Sequence, residues 1–194
     1  MKKEKKFPKK LIFLLFILSF ILIRGLKLII NGGGMYVEEW IDLSYFLWGV
    51  IGGIVTLFID RLVDVYISNP ETELAIWTKK LIDKRRYKEA IKLIKNNADL
   101  QTKLTLRSVL FQVIWCFLAI FTIFSTNSLF AIGFILGMGL WLVLIEWEDY
   151  LVDKKKLKKW LFWQINEEFS DNNLKKYLIF VTIFWAMCFL RVMY

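Results

Sequence analysis

Five long apolar runs limit what this chain can fold into. They occupy residues 11–30, 43–67, 105–124, 128–147 and 175–194. Each run holds roughly 20 residues, and an α-helix of that length is about 30 Å long, which matches the hydrocarbon core of a bilayer. The sequence is 57% hydrophobic, above the usual range of about 45–50% for soluble domains. The pattern predicts an all-α integral membrane protein with five transmembrane helices in a single domain, residues 1–194.

The distribution of lysine and arginine predicts how these helices are oriented. Basic residues are dense in the N-terminal MKKEKKFPKK, in residues 69–104 and in residues 148–176. The other two connections carry none. Because cytoplasmic loops carry the excess of Lys and Arg, we expect a cytoplasmic N-terminus, five crossings and an external C-terminus. The Lys, Ile and Asn bias suits an AT-rich bacterial genome, so the expected location is a bacterial cell (plasma) membrane.

The first apolar run has two interpretations. Lys27 lies near its outer end, where a long side chain can reach the interface, whereas Arg24 lies deeper and needs a partner or water. A cleaved signal peptide would also have a basic start followed by an apolar stretch such as LIFLLFILSFILI. No A-x-A-like cleavage site follows, so we expect the first helix to be retained. The four later crossings do not depend on this choice.

The first long basic segment is expected to form cytoplasmic amphipathic helices over about residues 70–97. Asn69 is the predicted N-cap, with Pro70 at the first helical position. The stretch Asp-Lys-Arg-Arg at residues 83–86 predicts a kink or tight turn. Apolar residues recur at helical spacing at Leu74, Trp77, Leu81, Tyr87, Ile91 and Ile94. This pattern favours a pair of helices on the membrane surface.

The second basic segment predicts a further cytoplasmic helix over about residues 154–168. Its apolar residues, set beside a lysine-rich face, are Leu157, Trp160, Leu161 and Trp163. Tryptophan is enriched at headgroup depth, and lysine is attracted to anionic lipid. We therefore expect this helix to lie at the cytoplasmic interface with its tryptophans among the headgroups.

Two apolar runs carry glycines spaced four residues apart. The second run contains Gly49 and Gly53, and the fourth contains Gly133 and Gly137. Small residues at this spacing allow transmembrane helices to approach closely. Both runs are expected to cross from outside to inside, which places the glycines at similar depth. The sequence therefore predicts that these two helices pack together through their glycines.

Asp60 is the charged residue that most needs a partner. Counting along the second run at about 1.5 Å per residue places it roughly one turn inside the inner edge of the hydrocarbon. A carboxylate at that depth has to be paired, neutralised or hydrated. Arg107, near the inner end of the third run, is the predicted partner in a buried charge pair, with Gln112 as a neutral donor behind it.

Three carboxylates are expected near the inner boundary, at Asp60, Asp64 and Glu146. One interpretation is a salt-bridge cluster that fixes helix packing. Another is a functional site, because carboxylate oxygens bind Mg²⁺, Ca²⁺ or Mn²⁺, and intramembrane carboxylates also relay protons. Contact with a partner protein is the third. All three interpretations remain open from the sequence.

The composition excludes several classes of function. The sequence has no histidine, which rules out Ser-His-Asp and Cys-His nucleophilic systems and His-ligated zinc. Cys116 and Cys188 both lie inside apolar runs and are not spaced as CxxC, so we expect them to pack rather than react. The net charge of +9 is assigned to topology, and nucleic acid is not an expected partner. No cofactor motif is present.

These observations predict a non-enzymatic membrane component that acts through protein or lipid interaction. The expected partners are membrane lipids and either another protein or a second copy of the chain. One alternative is a small transporter or ion conduit that uses the carboxylate cluster. A second alternative is a metal-dependent membrane enzyme that acts on lipid phosphates.

Overall fold

The computed structural model describes residues 8–30, 37–165 and 169–193, and every regular element within these ranges is helical. The helices are α1 Lys9–Ile30, α2 Val37–Val63, α3 Glu73–Asp83, α4 Tyr87–Asn96, α5 Val109–Ser125, α6 Leu129–Val152, α7 Lys154–Leu161 and α8 Asp171–Met193. A π-helical turn continues α2 through Ser68. The side chains of Arg24 and Lys27 lie outside the described residues, so the expectations for them stay predictions.

Three helices of the described chain are long and apolar enough to cross a membrane. They are Trp40–Ser68, Leu129–Val152 and Asp171–Met193. Two further apolar helical stretches, Ile12–Leu22 and Val109–Ser125, are shorter. The all-α expectation is confirmed, and length and composition support a membrane protein. The count of five crossings stays a prediction.

The α6 helix forms the centre of the bundle. In its most apolar 18-residue window, 72% of the residues are buried within the protein, against 33% for the α2 span and 22% for α8. A helix that is apolar on every side is stable only when other apolar surfaces surround it. The main core therefore forms where α1, α2, α5 and α8 pack around α6.

The α2 and α6 helices run parallel. Gly49 in α2 lies against Phe130 in α6, and one turn further along both helices Gly53 lies against Phe134. Their contact is the most extensive between two helices of the described chain. Since both helices start at the same end of the bundle, the chain between them has to return along its length.

The helices α1, α5 and α8 run antiparallel to α6. In each of them, residues further along the helix contact residues earlier in α6. The contacts are Lys9–Glu148 and Phe13–Trp141 for α1, Gln112–Glu146 and Trp115–Ile135 for α5, and Thr182–Trp147 and Trp185–Leu136 for α8. The five apolar helices therefore alternate in direction along the chain.

The predicted cap at Asn69 is wrong. Asn69 ends the π-helical turn, where its backbone N–H donates to the Asp64 carbonyl and its side-chain amide donates to the Asp64 carboxylate. Because the Asn69 side chain is hydrogen-bonded to Asp64, it does not cap α3. Asn69 and Pro70 therefore precede the helix. Thr72 caps the helix instead, and its Oγ1 accepts a hydrogen bond of 3.3 Å from the backbone N–H of Ala75.

The turn predicted at residues 83–86 is present between α3 and α4. Arg85 adopts a positive φ of 57° there. Five of the six predicted apolar positions of this helical pair divide into two groups, and the sixth, Leu81, is half-buried. Leu74 and Ile94 are buried, whereas Trp77, Tyr87 and Ile91 are exposed. Ile94 packs with Ala75 of α3 against Leu62 and Val65 at the end of α2.

The α7 helix differs from its prediction in two ways. It ends at Leu161, and residues 166–168 of the predicted segment lie outside the described residues. Leu157, Trp160 and Leu161 are buried in a second core cluster with residues of α5, α6 and α8. The indole N–H of Trp160 donates to Asp149 at 2.9 Å. These apolar side chains therefore pack into the protein, in place of the contact with lipid headgroups that the sequence predicted.

Candidate functional site

The four glycines singled out from the sequence lie at one helix–helix interface. A Cβ added at any of them would lie under 3.0 Å from backbone atoms of the opposite helix. The pairs are Gly49 with Phe130, Gly53 with Phe134, Gly133 with Phe46, and Gly137 with Val50. A Cβ added at Gly52, also in α2, would instead meet only side chains, the nearest being Phe134 at 3.3 Å. The absence of side chains at the four glycines therefore allows α2 and α6 to meet backbone to backbone.

Asp60 is buried near the end of α2, and its best contact is with the backbone. Its Oδ2 accepts a hydrogen bond of 3.0 Å from the N–H of Leu106, in the short 3₁₀ turn before α5. Arg107, the next residue, is also buried. No salt bridge within 4.0 Å joins Asp60 to Arg107 in the described chain, although the two charges attract each other. The structure therefore brings the predicted partners to one site without direct contact between their charges.

Arg107 lies among charges of both signs. Burial, and after it the neighbouring charge of Arg61, lowers the pKa of Arg107 to about 10, whereas the carboxylates of Asp60 and Asp149 raise it. The guanidinium therefore remains protonated at neutral pH. Its Nε is buried and has no hydrogen-bond partner among the described residues. A buried donor without an acceptor is costly, so this atom marks a place where a ligand oxygen would be stabilising.

Asp64 joins the end of α2 to the segment after α4. Its Oδ1 accepts from Asn69 at 2.6 Å, and its Oδ2 accepts from the side-chain amide of Gln101 at 3.0 Å. The same Gln101 amide donates to the backbone carbonyl of Arg61 at 3.0 Å. These bonds occupy both carboxylate oxygens and give Asp64 a structural role.

Glu146 lies in a separate polar network inside the bundle. It is fully buried in α6, and its Oε1 accepts from the side-chain amide of Gln112 in α5. The Tyr177 hydroxyl in α8 donates to the amide oxygen of Gln112. The amide nitrogen of Gln112 also donates to the backbone carbonyl of Arg107 at 3.2 Å. Gln112 therefore connects three helices. The second oxygen of Glu146 has no hydrogen-bond partner within the described part of the chain.

The three candidate carboxylates do not form one centre. Asp60 binds the turn before α5, Asp64 binds Gln101, and Glu146 binds Gln112. Among residues 8–30, 37–165 and 169–193, apart from side chains that are not described, no group of three or more His, Cys, Asp or Glu could hold a metal ion. Within the described part of the chain, these three carboxylates therefore do not assemble into the metal site that the sequence suggested.

No protein-family model, curated protein or solved structure matches this chain. The chemistry of the site therefore follows from its own geometry. Its buried carboxylates accept hydrogen bonds from amides and from backbone, which is typical of groups that fix packing. Because the sequence has no histidine, it lacks the side chain that most often serves as a general base.

Proposed function

We propose that this chain is a multi-pass integral membrane protein that acts without catalysis, through contacts with lipid and with protein. The observation that carries the proposal is the alternating direction of the five apolar helices around α6. Apolar helices that alternate in direction along the chain are expected when each of them crosses the bilayer in turn.

Exposed apolar side chains on the outer helices support insertion in lipid. Large apolar residues that are at least 60% exposed include Trp48 in α2, Phe117 and Phe121 in α5, and Phe180 and Met187 in α8. Apolar surface on this scale is unfavourable in water and marks contact with a membrane or a partner. In a bilayer, the same side chains would face acyl chains while the backbone polar groups remain paired within their helices.

The parallel arrangement of α2 and α6 supports a crossing by α5. The chain leaves α2 at one end of the bundle and enters α6 at the other, and α5 covers that distance. Its 17 residues are about 26 Å long, at the short end of the range for a spanning helix. The α1 helix places Phe16 and Phe20 in the main core, which favours a retained first helix over a cleaved one. Together these features favour five crossings.

The basic helices favour one orientation of the bundle. The helices α3, α4 and α7 belong to the lysine-rich segments, and they lie at the end of the bundle where α2 and α6 terminate. By the positive-inside rule this end is cytoplasmic, which gives a cytoplasmic N-terminus and an external C-terminus in a bacterial plasma membrane. The exposed Trp77, Tyr87 and Ile91 favour contact of α3 and α4 with the inner membrane surface.

Extraction of isolated membranes tests the proposal. After washing with alkaline carbonate, the protein should remain in the membrane pellet, and non-ionic detergent should release it. Release by carbonate alone would contradict an integral membrane protein. Light scattering of the detergent-solubilised protein then gives the number of copies per particle. A mass above one chain would identify a second copy as a partner.

A second candidate function is conduction of protons or cations. The observation that favours it is Glu146, a fully buried acid whose second oxygen has no partner in the described chain. Ionisable residues inside a bundle often serve ion pathways. Proteoliposomes containing the wild-type chain, Glu146→Gln or Asp60→Asn would be compared for proton and cation flux with empty vesicles. The main proposal predicts no flux above empty vesicles. A wild-type flux that Glu146→Gln abolishes would establish the second function instead.

A further inference from the structure

A cavity of about 500 Å³ lies where α2, α4, α6 and α7 meet at the basic end of the bundle. Its size falls within the range of small-molecule sites, about 300–1,000 Å³. Among the described residues, five cationic side chains line it, against two acidic ones. The excess of positive charge indicates that an occupant would be anionic.

The two acids of the cavity are already paired with lysines. Lys9 forms an ion pair with Glu148, and Lys156 lies 3.5 Å from a carboxylate oxygen of Asp149. Two further cationic side chains that line it are Lys95 from α4 and Arg107 from the turn before α5. They line the same cavity from two separate segments, so an anion bound there would be attracted by both charges.

The Arg107 side chain is a buried part of the cavity wall and does not extend from the surface. The residue is only 8% exposed, and its Nε has no hydrogen-bond partner among the described residues. It is also repelled by Arg61. An anionic oxygen beside Arg107 would satisfy the donor and reduce this repulsion. The guanidinium group suits phosphate particularly well, because its planar set of donors can bind two oxygens at once.

The rest of the described cavity wall is mainly apolar, with Gln101 as a polar exception. Phe58, Leu104, Trp141 and Ile145 line it, and Phe58, Trp141 and Ile145 belong to helices that we assign to the membrane. Such walls favour an anion attached to an apolar body over a small hydrated anion. A phosphoryl group attached to an apolar body would place its charge near the cations and its body against the aromatic rings.

We propose that this cavity binds a phosphoryl group, held by Arg107 and Lys95. The group belongs either to a lipid headgroup at the inner leaflet or to free phosphate, and the experiment distinguishes the two sources. The inference rests on the proposed membrane function and names a ligand class for its lipid contacts. Binding is measured in detergent without reference to the number of crossings, so its failure would leave the topology untouched.

Binding to the purified full chain in non-ionic detergent tests the site. The probes are dihexanoyl phosphatidic acid, inorganic phosphate and the zwitterionic lipid dihexanoyl phosphatidylcholine. Lys95→Gln removes an exposed charge that lines the cavity, so the variant should fold normally. Lys92→Gln is its matched control, since Lys92 is exposed on the same helix but does not line the cavity. Arg107→Gln removes the central donor, and its elution volume reports whether it remains folded.

The wild-type chain should bind phosphatidic acid, and Lys95→Gln should weaken that binding about fivefold, which is the effect of one basic residue near an anionic headgroup. Lys92→Gln should bind as the wild type does, and a folded Arg107→Gln should lose at least about tenfold in affinity, as expected for a charge-assisted hydrogen bond. Tight binding of phosphatidic acid with weak binding of phosphate identifies a lipid as the source, and equal affinities identify free phosphate. The proposal is overturned if neither phosphoryl probe binds, or if Lys95→Gln and Lys92→Gln weaken binding equally.

Discussion

Gly53 of α2 lies against the backbone of Phe134 in α6 so closely that no Cβ would fit between them. Gly52, its neighbour in the sequence, faces only side chains, chiefly that of the same phenylalanine. The two positions therefore differ in what an added methyl group would meet, although both are glycines in one helical turn. This difference allows the closest helix contact of the protein to be tested with a matched pair of variants.

We expect Gly53→Ala to destabilise the protein by about 1–3 kcal/mol, the usual cost of overpacking. The methyl group would meet a backbone carbonyl, which cannot move without separating α2 from α6. Gly52→Ala should change stability much less, because a side chain can adjust by a few tenths of an ångström. Thermal unfolding of both variants in one detergent measures the difference. Equal melting temperatures would show that the two helices do not pack as described.

The hydrogen bonds of Gln112 predict which of two substitutions destabilises the protein more. Gln112→Ala removes the donor to Glu146 and the acceptor of Tyr177 together, and each buried polar group left unsatisfied costs about 1–3 kcal/mol. Tyr177→Phe removes a single hydroxyl and should cost about 1 kcal/mol. The melting temperature should therefore be lowest for Gln112→Ala, intermediate for Tyr177→Phe and highest for the wild type. The reverse order would mean that Gln112 does not connect the three helices.

Asp60 and Arg107 should be coupled in stability. Asp60→Ala leaves the N–H of Leu106 without its acceptor, and Arg107→Ala leaves Asp60 as a buried charge without an attracting cation. The double variant should recover part of the summed loss, with a coupling of about 0.5–1.5 kcal/mol because the charges attract without touching. Asp60→Asn should be milder than Asp60→Ala, since its amide oxygen can still accept from Leu106. Strictly additive losses would contradict an interaction between the two charges.

The positions of the long apolar helices could be predicted from the sequence because their signal is local. Every apolar run corresponds to a helix, although the ends differ by several residues, and the glycine spacing identified the residues at the α2–α6 contact. Helix ends were less predictable. Asparagine is a favoured N-cap residue, yet the side-chain amide of Asn69 donates to Asp64 because α2 continues into a π-helical turn. That competition becomes visible only once the path of the chain is known.

The polar site was predictable only in part, because its bonds join residues that are distant in sequence. Asp60 was expected to meet the guanidinium of Arg107, but it binds the backbone of the residue before it. Backbone donors carry no sequence signal. Gln101 and Tyr177 were not predicted at all, since each contacts a partner at least 37 residues away. The only available hint was a polar side chain inside or beside an apolar run.

The central claim is that the five apolar helices cross a membrane in alternating directions. Reporter fusions after Asn97 and after Tyr194 test it most directly, using one reporter active only in the cytoplasm and another active only outside. The account predicts a cytoplasmic signal after Asn97 and an external signal after Tyr194. Finding both positions on the same side of the membrane would contradict it.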